Sequence, residues 1–86
     1  MWSFSKHILE RVEERGITEE MILSIVDKEV DILIYPSPQD ALVDLYFGKI
    51  ESLYILVVVN RETKNLITVR NMRKNEKKVY NEEFDL

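Results

Sequence analysis

The apolar positions change period along the chain. Phe4, Ile8 and Val12 recur every four residues around Lys6–Arg15, which predicts an amphipathic helix with one buried stripe. Ser5 stands where an N-cap hydroxyl is wanted, and Gly16 where a left-handed residue ends a helix. Thr18 caps a second predicted helix. Glu19 and Glu20 in its first turn suit the helix dipole, and Met21, Ile22, Ile25 and Val26 form its apolar face. Gly16-Ile17-Thr18 leaves room only for a tight corner between the two.

From Val30 the period falls to two. Val30, Ile32 and Ile34 alternate with Asp31, Leu33 and Tyr35, which predicts a strand. Pro36-Ser37-Pro38-Gln39-Asp40 is a turn, because prolines so close together exclude helix and central strand. Ala41–Phe47 is a second predicted strand and Gly48–Ser52 a second turn. Leu53–Val59 is apolar at every position, the pattern of a central strand covered on both faces. Asn60–Asn65 reads as a polar hairpin loop and Leu66–Arg70 as the fourth strand. Asn71 is the predicted cap of a closing helix over roughly Met72–Phe84, with Met72, Val79, Tyr80 and Phe84 inward. Short turns imply an antiparallel meander. The expected fold is therefore α+β: two N-terminal helices, a four-stranded antiparallel sheet and a C-terminal helix. The helices are expected on one face, in a single domain over residues 1–86.

Composition narrows the chemistry. Hydrophobic residues make up 45% of the chain, enough for a folded core rather than a disordered tail. There is no Cys, and His7 is the single His. A disulfide framework, a thiolate metal site and a multi-histidine metal site are all excluded, and no cofactor motif is present. No apolar run approaches the ~20 residues of a membrane span. No basic-then-apolar leader opens the chain, so the cytoplasm is the expected compartment. The net charge of −4 is unevenly spread: −6 over residues 1–60, +5 over 61–78 and −3 over 79–86. The basic block allows a directed contact with phosphate or with an acidic partner.

Four segments occur in a telling order: Arg15-Gly16-Ile17-Thr18-Glu19-Glu20 at the helix corner, Asp27 near the end of the second helix, Ile67-Thr68-Val69-Arg70 closing a hydrophobic hairpin, and the basic Arg73-Lys74-Asn75-Glu76-Lys77-Lys78-Val79-Tyr80. This succession resembles the BrnT-like branch of the RelE/ParE superfamily of bacterial toxins, from about Phe4 to Phe84. The start, with Ser5-Lys6-His7, Arg11 and Arg15, is more similar to a related family of small uncharacterised domains of the same layout. The resemblance implies a RelE-like fold and an mRNA-cleaving toxin of a type II toxin–antitoxin system, with RNA as substrate and a cognate antitoxin as partner. It implies either a homodimer or a toxin–antitoxin hetero-oligomer. The chain departs from the pattern in being acidic overall. It also carries Asn71-Met72-Arg73 where a Ser or Thr usually follows the arginine.

Metal-free RNA cleavage needs a group to deprotonate a 2′-hydroxyl, a group to stabilise the phosphorane and a group to protonate the leaving oxygen. On the strength of the resemblance, Arg70 is the candidate phosphate clamp; the alternative is an edge charge or an ion pair with an acid of helix one. Arg73, Lys74, Lys77 and Lys78 can share one helical face. They would form an RNA track, a surface for an acidic antitoxin segment, or an ordinary solvated face. Tyr80 is a candidate proton donor or stacking ring, against a core-edge tyrosine. His7 is a candidate proton shuttle, with Arg11 and Arg15 beside it at i+4 and i+8 on one side of helix one; the alternative is a structural His, with Arg11 and Arg15 paired to Glu10, Glu14 or Glu19. The contrasting function is a non-catalytic protein-binding module that retains the RelE-like fold, marked by a contiguous apolar patch or an open sheet edge.

Overall fold

The computed structural model describes residues 1–86. Strand β1 (Ser3–Phe4) leads into helices α1 (Lys6–Arg15) and α2 (Glu19–Val26). Strands β2 (Ile32–Pro36), β3 (Val43–Ile50), β4 (Leu53–Asn60) and β5 (Asn65–Asn71) follow, and helix α3 (Lys74–Phe84) closes the chain. The helix signals act locally. The Ser5 hydroxyl accepts from the Ile8 N–H, the Thr18 hydroxyl accepts from the Met21 N–H, and Gly16 ends α1 at φ 67°.

The sheet has five strands in the order β1-β5-β4-β3-β2. The four expected strands form the antiparallel meander. The fifth, β1, pairs parallel with the start of β5 and makes the sheet mixed. A strand of two residues carries no readable alternation, so sequence periodicity misses it.

Gly48 lies inside β3 rather than in a turn; the hairpin is the two residues Glu51 and Ser52 between paired Ile50 and Leu53. A Cβ on Gly48 would stand 3.0 Å from Ile25 Cγ1 and 3.0 Å from Ile32 Cδ1. Its missing side chain is what lets α2 settle on β3.

The helices cover both faces of the sheet, not one. Alternation along β4 separates them. Ile55, Val57 and Val59 pack with Ile8, Ile17, Ile22, Ile25 and Val26 under α1 and α2. Leu56, with Phe47, Met72 and Tyr80, packs under α3. Ile55, Leu56, Val57 and Val59 of β4 are buried and the rest of the strand is half-buried, in keeping with its unbroken apolar run.

Two local expectations also change. Arg73, not Asn71, is the N-cap of α3, because Asn71 still pairs with Ile55 in the sheet. Val79 is 47% exposed rather than inward. Asp44 of β3 is buried and paired with Arg61 at 3.1 Å.

Candidate functional site

Pairing of Leu56 with Arg70 and of Val58 with Thr68 puts Arg70 on the α3 face of the sheet. There α3 supplies Glu76. Arg70 Nη1 donates to Glu76 Oε1 at 2.8 Å, and Nη2 donates to Glu76 Oε2 at 2.9 Å. Nη1 also donates to the Asn71 carbonyl at 3.0 Å. The Arg73 N–H donates to Glu76 Oε1 at 2.7 Å, so one carboxylate both holds the guanidinium and caps the helix. The bond to Arg70 holds the Glu76 carboxyl below its ordinary value, and the bond to Glu76 raises Arg70. The planar fork that a phosphate would use is filled by this carboxylate.

Tyr80 is 2% exposed. Its hydroxyl donates to the Asp31 carbonyl at 2.6 Å, and burial pushes its pKa up. Its ring stands edge-on to Tyr54 and against Phe84. Tyr80 thus anchors α3 across the sheet to the start of β2, with its hydroxyl turned inward.

His7 and Arg11 belong to α1, whose buried residue Ile8 lies in the cluster on the opposite face. His7 Nε2 accepts from Arg11 Nε at 3.4 Å, and Arg11 Nη1 pairs with Glu14 at 3.1 Å. No hydrogen bond or ion pair joins His7 or Arg11 to Arg70, Tyr80 or α3. The structure brings Arg70 and Tyr80 under one helix and leaves His7 and Arg11 on another.

The cations of α3 are exposed. Arg73 sits at the N-cap, and Lys74, Lys77 and Lys78 border a shallow trough with Asn81, Glu82 and Asp85. Lys77 Nζ stands 5.5 Å from the Tyr54 ring centroid and Lys49 Nζ 5.1 Å from it. The Tyr54 hydroxyl donates to Asn81 Oδ1 at 2.9 Å. Lys49 and Tyr54 carry no charge run or motif, and the sequence does not single them out. Their directly opposed places in the β3–β4 hairpin are the signal that could have done so.

The other flank of α3 is different in kind. Val79, Asn75 and Glu76 face Leu33, Tyr35 and Phe47 across a slot of about 280 Å³. Tyr35, 45% exposed, stands edge-on to Phe47. Beyond the slot, Leu45 and Val58 are half-buried and pack at the margin of the cluster under α3. The alternation Leu33/Tyr35 and Leu45/Phe47 was the available signal for this face, but it needs to be known which face α3 covers.

No cluster of three His, Cys, Asp or Glu side chains converges as a metal ligand set. No helix is long and apolar enough to cross a membrane. Comparison of the chain with protein-family models, with curated proteins and with solved structures finds no match.

Proposed function

We propose that the chain is a non-catalytic protein-binding module with a RelE-like layout, acting in the cytoplasm on a protein partner of the antitoxin kind. The observation that carries this reading is the apolar slot of Leu33, Tyr35, Phe47 and Val79 opening onto a half-covered sheet face. Tyr35 and Val79, 45% and 47% exposed, put apolar side chains at its mouth, where a partner can bury them. The catalytic candidates support the same reading by being engaged elsewhere: Arg70 with Glu76, Tyr80 with the Asp31 carbonyl, and His7 on the far layer.

A metal-independent ribonuclease toxin is the second reading. One observation favours it: Arg70 shares the α3 side of the sheet with the exposed cations Arg73, Lys74, Lys77 and Lys78. In that mechanism a phosphate displaces Glu76 from the fork of Arg70, and the lysines hold the flanking backbone.

An RNA-degradation assay in EDTA separates the two. The binding-module reading predicts no cleavage by the purified chain, and none by Arg70→Ala. Cleavage that Arg70→Ala slows by ~10²–10³-fold, the usual effect of losing one charge stabiliser, would replace it with the ribonuclease.

A further inference from the structure

The two edges of the sheet are finished differently. At one edge β1 is two residues long, the Ser5 hydroxyl just beyond it donates to the Ile67 carbonyl, and α1 packs over β5. At the other edge stands β2, five residues without a charge: Ile32, Leu33, Ile34, Tyr35 and Pro36. Edge strands of solitary domains are commonly kept very short or guarded by Lys, inward charges or bulges. Of these guards β2 has only its terminal Pro36.

Hydrogen bonding along β2 fixes what the edge offers. The Ser37 N–H donates to the Val43 carbonyl at 2.9 Å, so Leu33 and Tyr35, in phase with Ser37, turn their backbone groups toward β3. Those of Ile32, Ile34 and Pro36 turn outward. The outward set is the N–H groups of Ile32 and Ile34 and the carbonyls of all three. No strand pairs with β2 on that side, and α2 packs over β3 and β4 rather than beyond the edge.

This set is complementary to itself. Set antiparallel about a twofold axis at Ile34, the middle residue of β2, two such strands match along their whole length. Ile34 exchanges both bonds with the partner's Ile34. The Ile32 N–H meets the carbonyl of the partner's Pro36, and the reverse. Every outward N–H of the pair finds a carbonyl. The N–H that Pro36 lacks would have met only the Ile32 carbonyl at the end of the ladder, where water reaches it.

The side chains agree with this register. Ile34 and Tyr35 are exposed on opposite faces of the sheet, and a strand added in its plane covers both at once. Ile34 meets the partner's Ile34 on the α2 face. Tyr35 meets the partner's Leu33 on the α3 face, in the closer, non-hydrogen-bonded kind of pair. Asp31 falls opposite the partner's Ser37 and not opposite an acid. Sliding the axis to Leu33 keeps as many bonds between the strands, but it sets Tyr35 against the partner's Asp31 and leaves Pro36 beyond the paired residues.

We propose that two copies of this chain join β2 to β2 in this register, combining the five strands of each into one continuous sheet. The assembly closes at two, because both β2 edges are consumed and the β1 edge presents no comparable strand. Five residues a side, against the ~20–30 of a standard interface, make the contact weak and dependent on concentration. The two slots then lie on the same side of the joined sheet. Failure of the dimer would leave the reading of each slot in place.

Sedimentation equilibrium of the full chain over rising concentration is the test. The mass should climb from 10.2 kDa toward twice that and no further. Ile34→Lys sets like charges against each other at the axis and should hold the chain at the monomer mass. Leu9→Lys, at an exposed apolar position on α1, should associate as the parent does. Circular dichroism reports that each variant is folded. The chain has no Cys, so a single introduced one reads the register. Ile34→Cys should form an interchain disulfide on mild oxidation. Ile32→Cys should not, since its two copies stand about 13 Å apart in this register, beyond the reach of a disulfide. A parent that stays at 10.2 kDa up to about 1 mM would overturn the proposal. So would association that Ile34→Lys leaves unchanged, growth past two copies, or crosslinking of Ile32→Cys as readily as of Ile34→Cys. A monomeric parent whose Ile32 and Ile34 amides shift with a strand-forming peptide of alternating Thr and Val would assign the edge to a foreign strand instead.

Discussion

The two faces of the sheet are built from the same strands, residue by alternate residue, and they are finished differently. Under α1 and α2, Val57 and Ile55 are fully buried in a cluster of eleven buried residues joined by two capped helices. Under α3 the buried cluster has four residues, and the helix is held by a few specific contacts: Glu76 on Arg70, Tyr80 on the Asp31 carbonyl, and Asn81 on Tyr54. The larger apolar cluster, pinned also by Ser5 Oγ donating to the Ile67 carbonyl and Trp2 Nε1 donating to Asp27, suits a core that never opens. A helix held at three polar points over a partly open face suits a surface that exchanges contacts. Stability and binding are thus assigned to opposite sides of one sheet.

Neighbouring residues of β4 give the strongest way to break that comparison. Val57→Asp should unfold the domain, because an unpaired buried carboxylate costs several kcal/mol against a total stability of roughly 5–10. Val58→Asp, one residue along but on the open half, should cost only about 1–2 kcal/mol and keep the fold. Urea unfolding followed by circular dichroism measures both. Equal loss from the two variants would mean that the faces are equally closed.

The Arg70–Glu76 contact sharpens it. Glu76→Gln should cost about 1–3 kcal/mol, the range for a hydrogen bond to a charged group, and should loosen α3 first. The sign with pH follows from the depressed Glu76 carboxyl. Its stabilisation is full above the ordinary glutamate value of 4.5 and is lost as pH falls through the lower native value. The stability gap between parent and Glu76→Gln should therefore be constant near neutrality and close in acid. A gap that widens on acidification would contradict the assigned role.

Much of the α1/α2 side is legible in the sequence because its signals are local. Ser5, Thr18 and Gly16 act within one turn of where they stand, and the apolar stripes name their own buried residues. The α3 side is less legible because its determinants are relational. Nothing in Met72–Phe84 says which face of the sheet the helix crosses, and Val79 reads as inward until that is known. Gly48 reads as a turn, since glycine usually punctuates, when its use is to admit Ile25. Glu76 was readable: an acid three residues after an N-cap is a capping pattern. Recognising Arg73 as that cap would have pointed to the partner of Arg70. Tyr80, by contrast, reads two ways from sequence, and burial with a bonded hydroxyl is the core-edge alternative.

The smallest expected effect lies on the outer side of α3. Lys74 stands in the first turn, where the helix dipole disfavours a cation, close to Lys77 and Lys78. Lys74→Glu should stabilise the chain by about 0.3–1 kcal/mol, read as a higher urea midpoint with unchanged slope. A loss of stability would mean that the lysines make contacts within the fold that the present account does not give them.

Native-state hydrogen exchange tests the division between the two faces most directly. Amides of β4 and α2 should exchange only through global unfolding, with equal free energies that fall steeply with denaturant. Amides in the middle of α3, Lys78–Asn81, should exchange through a local opening at least about 2 kcal/mol lower and with little denaturant dependence. If α3 instead shares the protection and the denaturant slope of β4, it is a full part of the core. The assignment of its face to binding would then be wrong.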